Sequence, residues 1–278
     1  MNKYTFYNGR RVDPEAPILS ANSRAYRYGD GFFESMRLIH GRLHYASRHI
    51  ERIEKSILLL HFSQPVGVVL GDFETWIENQ CAGLEVKHAR IRCTFFREGQ
   101  GFYLPENCET HNILEIIPTD VVGYPLNAVG LVLGNFKELT KNSNYLSVLK
   151  TTSSLIYVMA GMHARSHGYD ELVLYNEMGR VCEGISANIF GVTGEFIITP
   201  PISEFCIDGV MRRAVIELAQ EYGYVVIERP LGEVELSSCR EIFFTNASRG
   251  IQWVGDYMGK RLTNTTSRVL SERLNGRE

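Results

Sequence analysis

The chain has 278 residues, a formal net charge of −3, 44% hydrophobic residues and 22% charged residues. These values are ordinary for a globular protein and, with no long basic run, they argue against a nucleic-acid-binding function. The N-terminus has no apolar signal core and the longest apolar stretch, at 57–62, is too short to span a bilayer, so we expect a soluble, cytoplasmic protein.

The six cysteines and eight histidines are scattered along the chain. No CxxC pair and no HExxH spacing occurs among them, so the sequence predicts neither a zinc site nor a disulfide framework. We therefore expect no metal.

Two hairpins are predicted in the first part of the chain. Asn8-Gly9 and His40-Gly41 each separate two extended runs, which is the pattern of a tight β-turn. The hairpins are expected at 1–12 and 32–46.

Helices and strands complete this first part. Ser47 precedes apolar residues at helical spacing, and we expect it to cap the helix that follows. Alternation along 89–96 predicts a strand with Arg90, Arg92 and Thr94 on one face. The other predicted elements are a helix over 71–82 and a strand over 111–118.

The stretch 119–128 contains Gly and Pro and predicts a linker between a domain at 1–118 and a domain at 129–278. The second domain mixes strands with two helices, and a Gly follows the end of each helix. The predicted helices cover 153–167 and 210–223, and the predicted strands cover 129–136, 171–175, 180–182, 187–192, 195–199, 224–228 and 241–245. Paired strands with a few helices indicate an α+β fold in two parts.

Lys150 lies between an apolar run and a predicted helix start. Apolar surroundings lower the pKa of a lysine, and a neutral amine attacks carbonyl carbons to form a Schiff base. The alternative is an ordinary lysine at a helix entry, with its stem packed and its head in water.

Three places are candidate anion sites. Gly209 precedes a predicted helix, so we expect open N–H groups at Val210 and Met211, where the helix dipole attracts anions. The segment 243–250 ends a strand in small polar residues, and Arg52 has the guanidinium geometry that binds phosphate. The alternatives are a plain helix start, a plain turn and a solvated arginine.

Glu183 stands between two apolar, strand-forming runs, where an unpaired carboxylate is costly to bury. A protonated heteroaromatic ring nitrogen is a suitable partner for it, and that pairing makes the ring an electron sink. An amine, an anion seat and a carboxylate are together what a pyridoxal phosphate site requires.

Over nearly its whole length the chain resembles the class IV aminotransferases, the fold-type IV family of pyridoxal-phosphate enzymes. That family includes branched-chain aminotransferases, D-amino-acid aminotransferases and 4-amino-4-deoxychorismate lyases. The matching blocks, in order, are SRAYRYGDGFFESMRLIHGRLHYASRHIERI, LKTTSSLIYVMAGMHARSHGYDELVLYNEMGRVCEGISANIF, DGVMRR and FFTNASRGIQWV. The resemblance implies a small α/β N-terminal domain, a larger pseudo-barrel C-terminal domain that binds pyridoxal 5'-phosphate, and a homodimer.

The resemblance also implies a role for individual residues. Lys150 matches the Schiff-base lysine and general base, Glu183 matches the carboxylate that pairs with the pyridine nitrogen, and Arg52 matches the phosphate-binding arginine. The partner of Glu183 is accordingly expected to be the cofactor ring rather than another side chain. The remaining expected cofactor contacts are the backbone amides of Val210 and Met211 at the phosphate, Asn246 at a second phosphate contact, and Ile207 against one ring face.

Substrate residues are expected on the strand around Arg92, which lies where branched-chain aminotransferases carry an arginine for the substrate carboxylate. Arg90 and Arg97 are alternatives to it. Phe33 lies where the D-amino-acid enzymes have a pocket tyrosine, which implies a more apolar pocket. The segment REGQGFYLPE lacks the arginine and histidine of the D-amino-acid enzymes, so the resemblance favours L-amino acids.

The predicted function is a pyridoxal-phosphate aminotransferase that moves an amino group from a branched-chain or other apolar L-amino acid to a 2-keto acid. The alternative within the family is 4-amino-4-deoxychorismate lyase, which releases pyruvate and 4-aminobenzoate. A third possibility is a catalytically silent relative that binds an anion or a partner, and the joint presence of Lys150 and Glu183 argues against it.

Overall fold

The computed structural model describes residues 3–106 and 108–276. The chain divides into two units: the first runs to Val122 and includes Lys150–Ser153, and the second comprises Gly123–Leu149 and the chain from Ser154. Helices and paired strands occur in both units, so the predicted α+β class is confirmed. The domain limits taken from the sequence stay a prediction. The sequence did not predict that Lys150–Ser153 belongs to the first unit.

The first unit is built on an antiparallel sheet. Its elements are β1 (Tyr4–Tyr7), β2 (Arg10–Val12), α1 (Arg24–Tyr28), β3 (Gly31–Ile39), β4 (Arg42–Leu43), α2 (Ala46–Leu59), α3 (Phe73–Gly83), β5 (Ala89–Glu98) and β6 (Glu109–Pro118). The six strands lie in the order β2-β1-β6-β5-β3-β4. A buried apolar core joins the sheet to α2 and α3.

Both predicted hairpins are present, β1–β2 and β3–β4. Asn8 and Gly9 have φ values of 47° and 78°, and His40 and Gly41 have 50° and 79°, as a two-residue turn with the twist of the strands requires. The first two residues of the predicted hairpin at 1–12 lie outside the described residues.

The predicted cap of α2 is wrong. The helix begins at Ala46, one residue before Ser47, and Tyr45 occupies the cap position with a left-handed φ of 56°. Because β4 ends at Leu43, the chain has only two residues in which to turn into the helix. It makes this turn with backbone geometry rather than with a side-chain cap.

The alternation predicted for β5 is confirmed. Ile91, Cys93 and Phe95 are fully buried in the core, while the intervening Arg90 and Arg92 lie on the opposite face. The sheet thus has one face that packs under the helices and one face with polar side chains.

A buried ion cluster joins β3 to α2. The Glu34 carboxylate accepts hydrogen bonds from Arg52 Nε at 2.7 Å and Arg52 Nη2 at 2.6 Å, and His49 Nδ1 lies 2.7 Å from Oε2. Burial raises the pKa of Glu34, but the charge and hydrogen bonds of Arg52 and His49 outweigh that effect and hold it at about 2. The Glu34 carboxylate therefore stays ionised throughout the neutral range.

The segment around Lys150 pairs with the edge of β3 through an isolated antiparallel β-bridge between Thr151 and Phe32. The Phe33 N–H donates to the carbonyl of Lys150 at 2.9 Å, and the Thr152 N–H donates to Gly31 O at 2.9 Å. The Thr152 hydroxyl also donates to Gly29 O at 2.7 Å. A side chain on Gly31 would lie 2.6 Å from the Phe95 carbonyl, so only glycine fits here.

The second unit contains a larger, mixed sheet. Its elements are β7 (Leu131–Lys141), α4 (Leu155–His167), β8 (Glu171–Asn176), β9 (Val181–Glu183), β10 (Asn188–Thr193), β11 (Phe196–Thr199), α5 (Val210–Glu221), β12 (Val225–Glu228), α6 (Glu233–Ser238), β13 (Glu241–Asn246), β14 (Gly250–Tyr257), β15 (Lys260–Arg261) and α7 (Thr265–Asn275). The strand order is β12-β11-β10-β13-β14-β7-β8-β9, and β15 pairs with β14.

The predicted elements of this unit are confirmed within a few residues, including the end of α4 at Gly168, which has a φ of 74°. The sequence made no prediction for β14, β15, α6 and α7. None of the helices in the described part of the chain is long and apolar enough to cross a membrane.

Replacing Glu34 with Gln should lower the free energy of unfolding at pH 7 by about 3–5 kcal/mol, because Arg52 would be buried without its counter-charge. The stabilisation by the Glu34 charge is complete above the usual pKa of 4.5 and is lost as the pH falls from there through the folded value of about 2. Denaturant unfolding at several pH values should therefore show that the difference in the free energy of unfolding between wild type and Glu34→Gln becomes smaller below pH 4.5.

The matched control for this prediction is Glu54→Gln, a substitution of an exposed glutamate on the same helix. Equal stabilities of the Glu34→Gln and Glu54→Gln proteins at pH 7 would contradict the role assigned to the buried cluster.

Candidate active site

Three residues predicted from the sequence meet in the first unit. The Lys150 amine lies 4.3 Å from the centroid of the Phe33 ring, and the Arg92 guanidinium carbon lies 3.6 Å from the same centroid. Arg92 Nε also lies 3.3 Å from Thr94 Oγ1, and burial lowers the pKa of Arg92. An amine, an aromatic ring and a guanidinium therefore share one small region.

The other two candidate arginines lie in different surroundings. Arg97 is buried, donates to Asp30 at 3.0 Å and to the Leu60 carbonyl at 2.7 Å, and stacks on Phe62. Arg90 is exposed, and in the register of β5 with β3 it lies opposite Arg37. Of the three arginines that the sequence left open, Arg92 is the one that contacts the ring beside Lys150.

Arg52 lies in the first unit and donates to Glu34 through two nitrogens. Burial lowers the pKa of His49, and the positive charges of Arg52 and Lys150 lower it further, against the opposing effect of Glu34. The ion cluster is thus close enough to Lys150 for their charges to interact. The phosphate-binding role of Arg52 stays a prediction.

Glu183, at the end of β9, is buried with only 3% of its surface exposed. Its Oε1 accepts from Lys141 Nζ and, at 2.7 Å, from the Tyr157 hydroxyl, while its Oε2 accepts from the Ile207 N–H at 2.8 Å. The expectation that no other side chain partners this carboxylate is therefore wrong, because a carboxylate so deeply buried requires a protein counter-ion. Its role toward the cofactor ring stays a prediction.

The loop after Glu183 is held tightly. A side chain on Gly184 would lie 2.7 Å from the Phe244 ring, and the Gly184 N–H donates to the Ala187 carbonyl at 2.7 Å. The buried Glu171 carboxylate accepts from the Ile185 N–H at 2.6 Å, and burial raises its pKa. These contacts explain why a glycine follows the glutamate.

The predicted phosphate seat lies at the N-terminus of α5. The N–H groups of Val210 and Met211 lie in the first turn, where a helix offers them no acceptor of its own. Asn188 Nδ2 donates to the Ile207 carbonyl at 2.8 Å, and a side chain on Gly209 would lie 2.0 Å from Asn188 Oδ1. Glycine at this position lets the helix start approach the sheet.

Asn246 lies at the end of β13, next to this region. Its Oδ1 accepts from the N–H groups of Ser248 and Arg249, and its Nδ2 donates to the Ser186 carbonyl at 3.1 Å. The preceding Thr245 is opposite Asn188 in the sheet. Its hydroxyl is buried without a hydrogen-bond partner among the described residues.

The second unit therefore brings together Glu183, Ile207, the start of α5 and the end of β13. A carboxylate has about four acceptor positions, and three donors leave one of them, on Oε2. A protonated ring nitrogen fits that position. An anion fits the donors at the start of α5 together with the Thr245 hydroxyl, for which the described part of the chain offers no hydrogen-bond partner. The residues present thus fit pyridoxal phosphate.

Two members of the site were missed in the sequence. Lys141 lies in the polar run KELTKNSN, which has no pattern that distinguishes a buried lysine from an exposed one. Tyr157 did carry a signal, because it shares a helical spacing with Ala160 and Ala164, which are buried. Among the described residues no group of three or more His, Cys, Asp or Glu side chains is suited to a metal ion.

Comparison with known proteins agrees with this chemistry. Residues 31–256 match the model of the family "Amino-transferase class IV". A provisionally named branched-chain-amino-acid aminotransferase of Methanocaldococcus jannaschii is 28% identical over 97% of this chain and 93% of its own length.

Two solved structures share the fold. The Escherichia coli branched-chain amino acid aminotransferase superposes with a TM-score of 0.89 at 23% identity, covering 99% of this chain and 94% of that one. A Legionella pneumophila protein provisionally named 4-amino-4-deoxychorismate lyase superposes at 0.86 with 20% identity, covering 96% and 97%. The chain therefore has the fold-type IV architecture and belongs to the class IV aminotransferases, which are pyridoxal-phosphate-dependent enzymes.

Proposed function

We propose that this aminotransferase moves the amino group of a branched-chain or other apolar L-amino acid to a 2-keto acid. The observation that carries the proposal is the contact of Lys150 and Arg92 with one aromatic ring, that of Phe33. An amine for proton transfer, a guanidinium for a carboxylate and an apolar surface for a side chain are what such a substrate needs.

Each of these residues has a separate task. Lys150 Nζ takes the α-proton of the substrate and returns it, as the general base of the reaction. Arg92 binds the substrate carboxylate, and the Phe33 ring packs against the side chain of the substrate. Arg92 is partly shielded from water, and its Nε lies 3.8 Å from a carboxylate oxygen of Glu115. A substrate carboxylate would take the remaining donors of Arg92, in surroundings where an ion pair is stronger than on an open surface.

Most of the cofactor contacts in this proposal come from the second unit, and Arg52 comes from the first. The bound cofactor supplies an electron sink. Glu183 holds a proton on the ring nitrogen through its remaining Oε2 position, and Ile207 packs against the ring. Arg52, Asn246 and the amides at the start of α5 hold the phosphate.

The alternative is 4-amino-4-deoxychorismate lyase, because that reaction needs the same amine and the same ring contacts. Its products are pyruvate and 4-aminobenzoate rather than a new amino acid. The two activities differ in whether the cofactor keeps the amino group, so one spectroscopic experiment separates them.

The test of the function is the visible absorption spectrum of the purified protein before and after addition of L-leucine, L-glutamate or D-alanine. We expect a yellow protein whose band is bleached by an L-amino acid, and no bleaching in the Lys150→Ala variant. Bleaching by D-alanine alone would contradict the preference for L-amino acids.

Two further outcomes would overturn the proposal. A yellow band that no amino acid bleaches, together with pyruvate release from aminodeoxychorismate, would establish the lyase instead. A protein that stays colourless with added pyridoxal phosphate would contradict the residue assignments altogether.

Replacing Arg92 with Gln should raise the KM for the 2-keto acid by about 10–100-fold, because a charged hydrogen bond to the carboxylate is lost. The kcat should change much less. Steady-state kinetics of Arg92→Gln and of Arg90→Gln, an exposed control on the same strand face, provide the measurement. Equal effects of both substitutions would contradict the role of Arg92.

We propose in addition that the enzyme is a homodimer. Leu155, Val158 and Met162 lie along one stripe of α4, and each is more than half exposed. Stripes of this kind on a folded protein usually mark an interface. A second copy of the chain is the partner that the family resemblance implies. A cytoplasmic location stays a prediction.

Replacing Met162 with Glu should shift the protein from dimer toward monomer, because a charge would be buried in the apolar contact. Sedimentation velocity at several concentrations provides the measurement. Val234→Glu, on the exposed face of α6, is the control that should leave the dimer intact. A fully active wild-type monomer would refute the dimer.

A further inference from the structure

Lys141 is a buried lysine to which no role has been given so far. It ends β7, where the four preceding residues are exposed, yet only 3% of its own surface is exposed. Its ammonium group forms an ion pair with Glu183 Oε1 and donates to the Ser147 carbonyl at 3.1 Å. The end of β7 thus places one cation in the interior of the second unit.

The hydrogen bonds at Glu183 are divided unequally between its two oxygens. Oε1 has two donors, the Lys141 ammonium and the Tyr157 hydroxyl, and they occupy both of its acceptor positions. Among the residues that the structure describes, Oε2 has one donor, the Ile207 N–H, and therefore keeps one position for another donor. This division fixes which oxygen of the carboxylate faces a ligand.

The other ionisable groups around Glu183 do not supply a counter-charge. Burial raises the pKa of the Cys206 thiol to about 12, and burial likewise raises that of Cys182, so both thiols are neutral. Burial and the nearby Glu183 charge raise the pKa of Tyr157, which therefore stays protonated and donates its hydrogen.

The nearby charged residues are already paired with one another. The pairs are Arg180 with Glu204, Arg213 with Asp208, and Arg212 with Glu228. Within the described residues, Lys141 is the cation that forms an ion pair with Glu183.

We propose that Lys141 is a positioning residue for the cofactor: its ion pair holds Oε1 of Glu183 in place, so that Oε2 is presented to the ring nitrogen. The identity of the ligand in this inference rests on the proposed function. The role of the lysine rests on the geometry of the Lys141–Glu183 ion pair. A carboxylate without its buried counter-ion takes up a proton or moves, and in either case it is lost as the acceptor for a ring N–H.

The first part of the test uses the apo-protein. Lys141→Met should lower Tm at neutral pH by about 5–10 °C, because Glu183 is left as an unpaired buried charge. Adding Glu183→Gln to Lys141→Met should recover much of the loss.

Two controls accompany the apo-protein measurement. One replaces another lysine of β7, and the other keeps a cation at residue 141. Lys137 is also a lysine of β7 in an ion pair, with Glu233, but its side chain is 63% exposed. Lys137→Met should therefore change Tm little. Lys141→Arg keeps the charge and should retain most of the wild-type stability.

The second part uses a pair of ligands to separate positioning from stability. Apo-protein is titrated with pyridoxal phosphate and with its 1-deaza analogue, in which C–H replaces the ring nitrogen. The aldehyde and the phosphate are the same in both, so the ratio of the two affinities reports the contact at the ring nitrogen. We expect wild type and Lys137→Met to prefer pyridoxal phosphate by about tenfold or more.

In Lys141→Met the preference should fall toward the value for Glu183→Gln, and Lys141→Arg should restore it. A Lys141→Met protein that is less stable but keeps the wild-type preference would overturn the inference and leave the proposed function intact. Failure of the wild-type protein to bind either compound would overturn both.

Discussion

A carboxylate removed from water, that of Glu183, is the constraint on which the organisation of the second unit depends. Burial of a charge costs several kcal/mol unless a counter-ion and hydrogen bonds offset it. Three segments that are distant in the sequence meet this need: the end of β7 through Lys141, the first turn of α4 through Tyr157, and the loop before α5 through Ile207. The carboxylate therefore connects these elements to β9, and the same contacts leave one acceptor for a ligand.

Close backbone approaches repeat around the residues assigned to the cofactor. Gly184 lies against Phe244, Gly209 lies against Asn188, and Gly31 lies against the Phe95 carbonyl. None of these three needs glycine for a left-handed backbone, because none has a positive φ in that region. They are small because a backbone carbonyl, a side-chain amide or an aromatic ring occupies the place of a side chain. Space rather than flexibility explains these glycines.

The sequence predicted the features that depend on local chemistry. The turns at Asn8-Gly9 and His40-Gly41 and the helix end at Gly168 follow from backbone preferences, and all three are present. Predictions that depended on distant contacts were less successful. Tyr45 takes the cap position before α2 because β4 ends only two residues earlier. Lys141 is buried because it pairs with Glu183, 42 positions further along the chain. Local patterns contain no information about such pairings, and the family resemblance supplied Lys150 and Glu183 instead.

The segment Lys150–Ser153, which pairs with β3, limits how the protein can be divided. The chain passes between the two units after Val122, after Leu149 and after Ser153. A gene fragment that encodes only the residues before the first of these crossings would lack the segment that pairs with β3, including Lys150. Chimeras between relatives must therefore exchange residues 150–153 together with the N-terminal segment, because a single crossover would join the lysine of one parent to the sheet edge of the other.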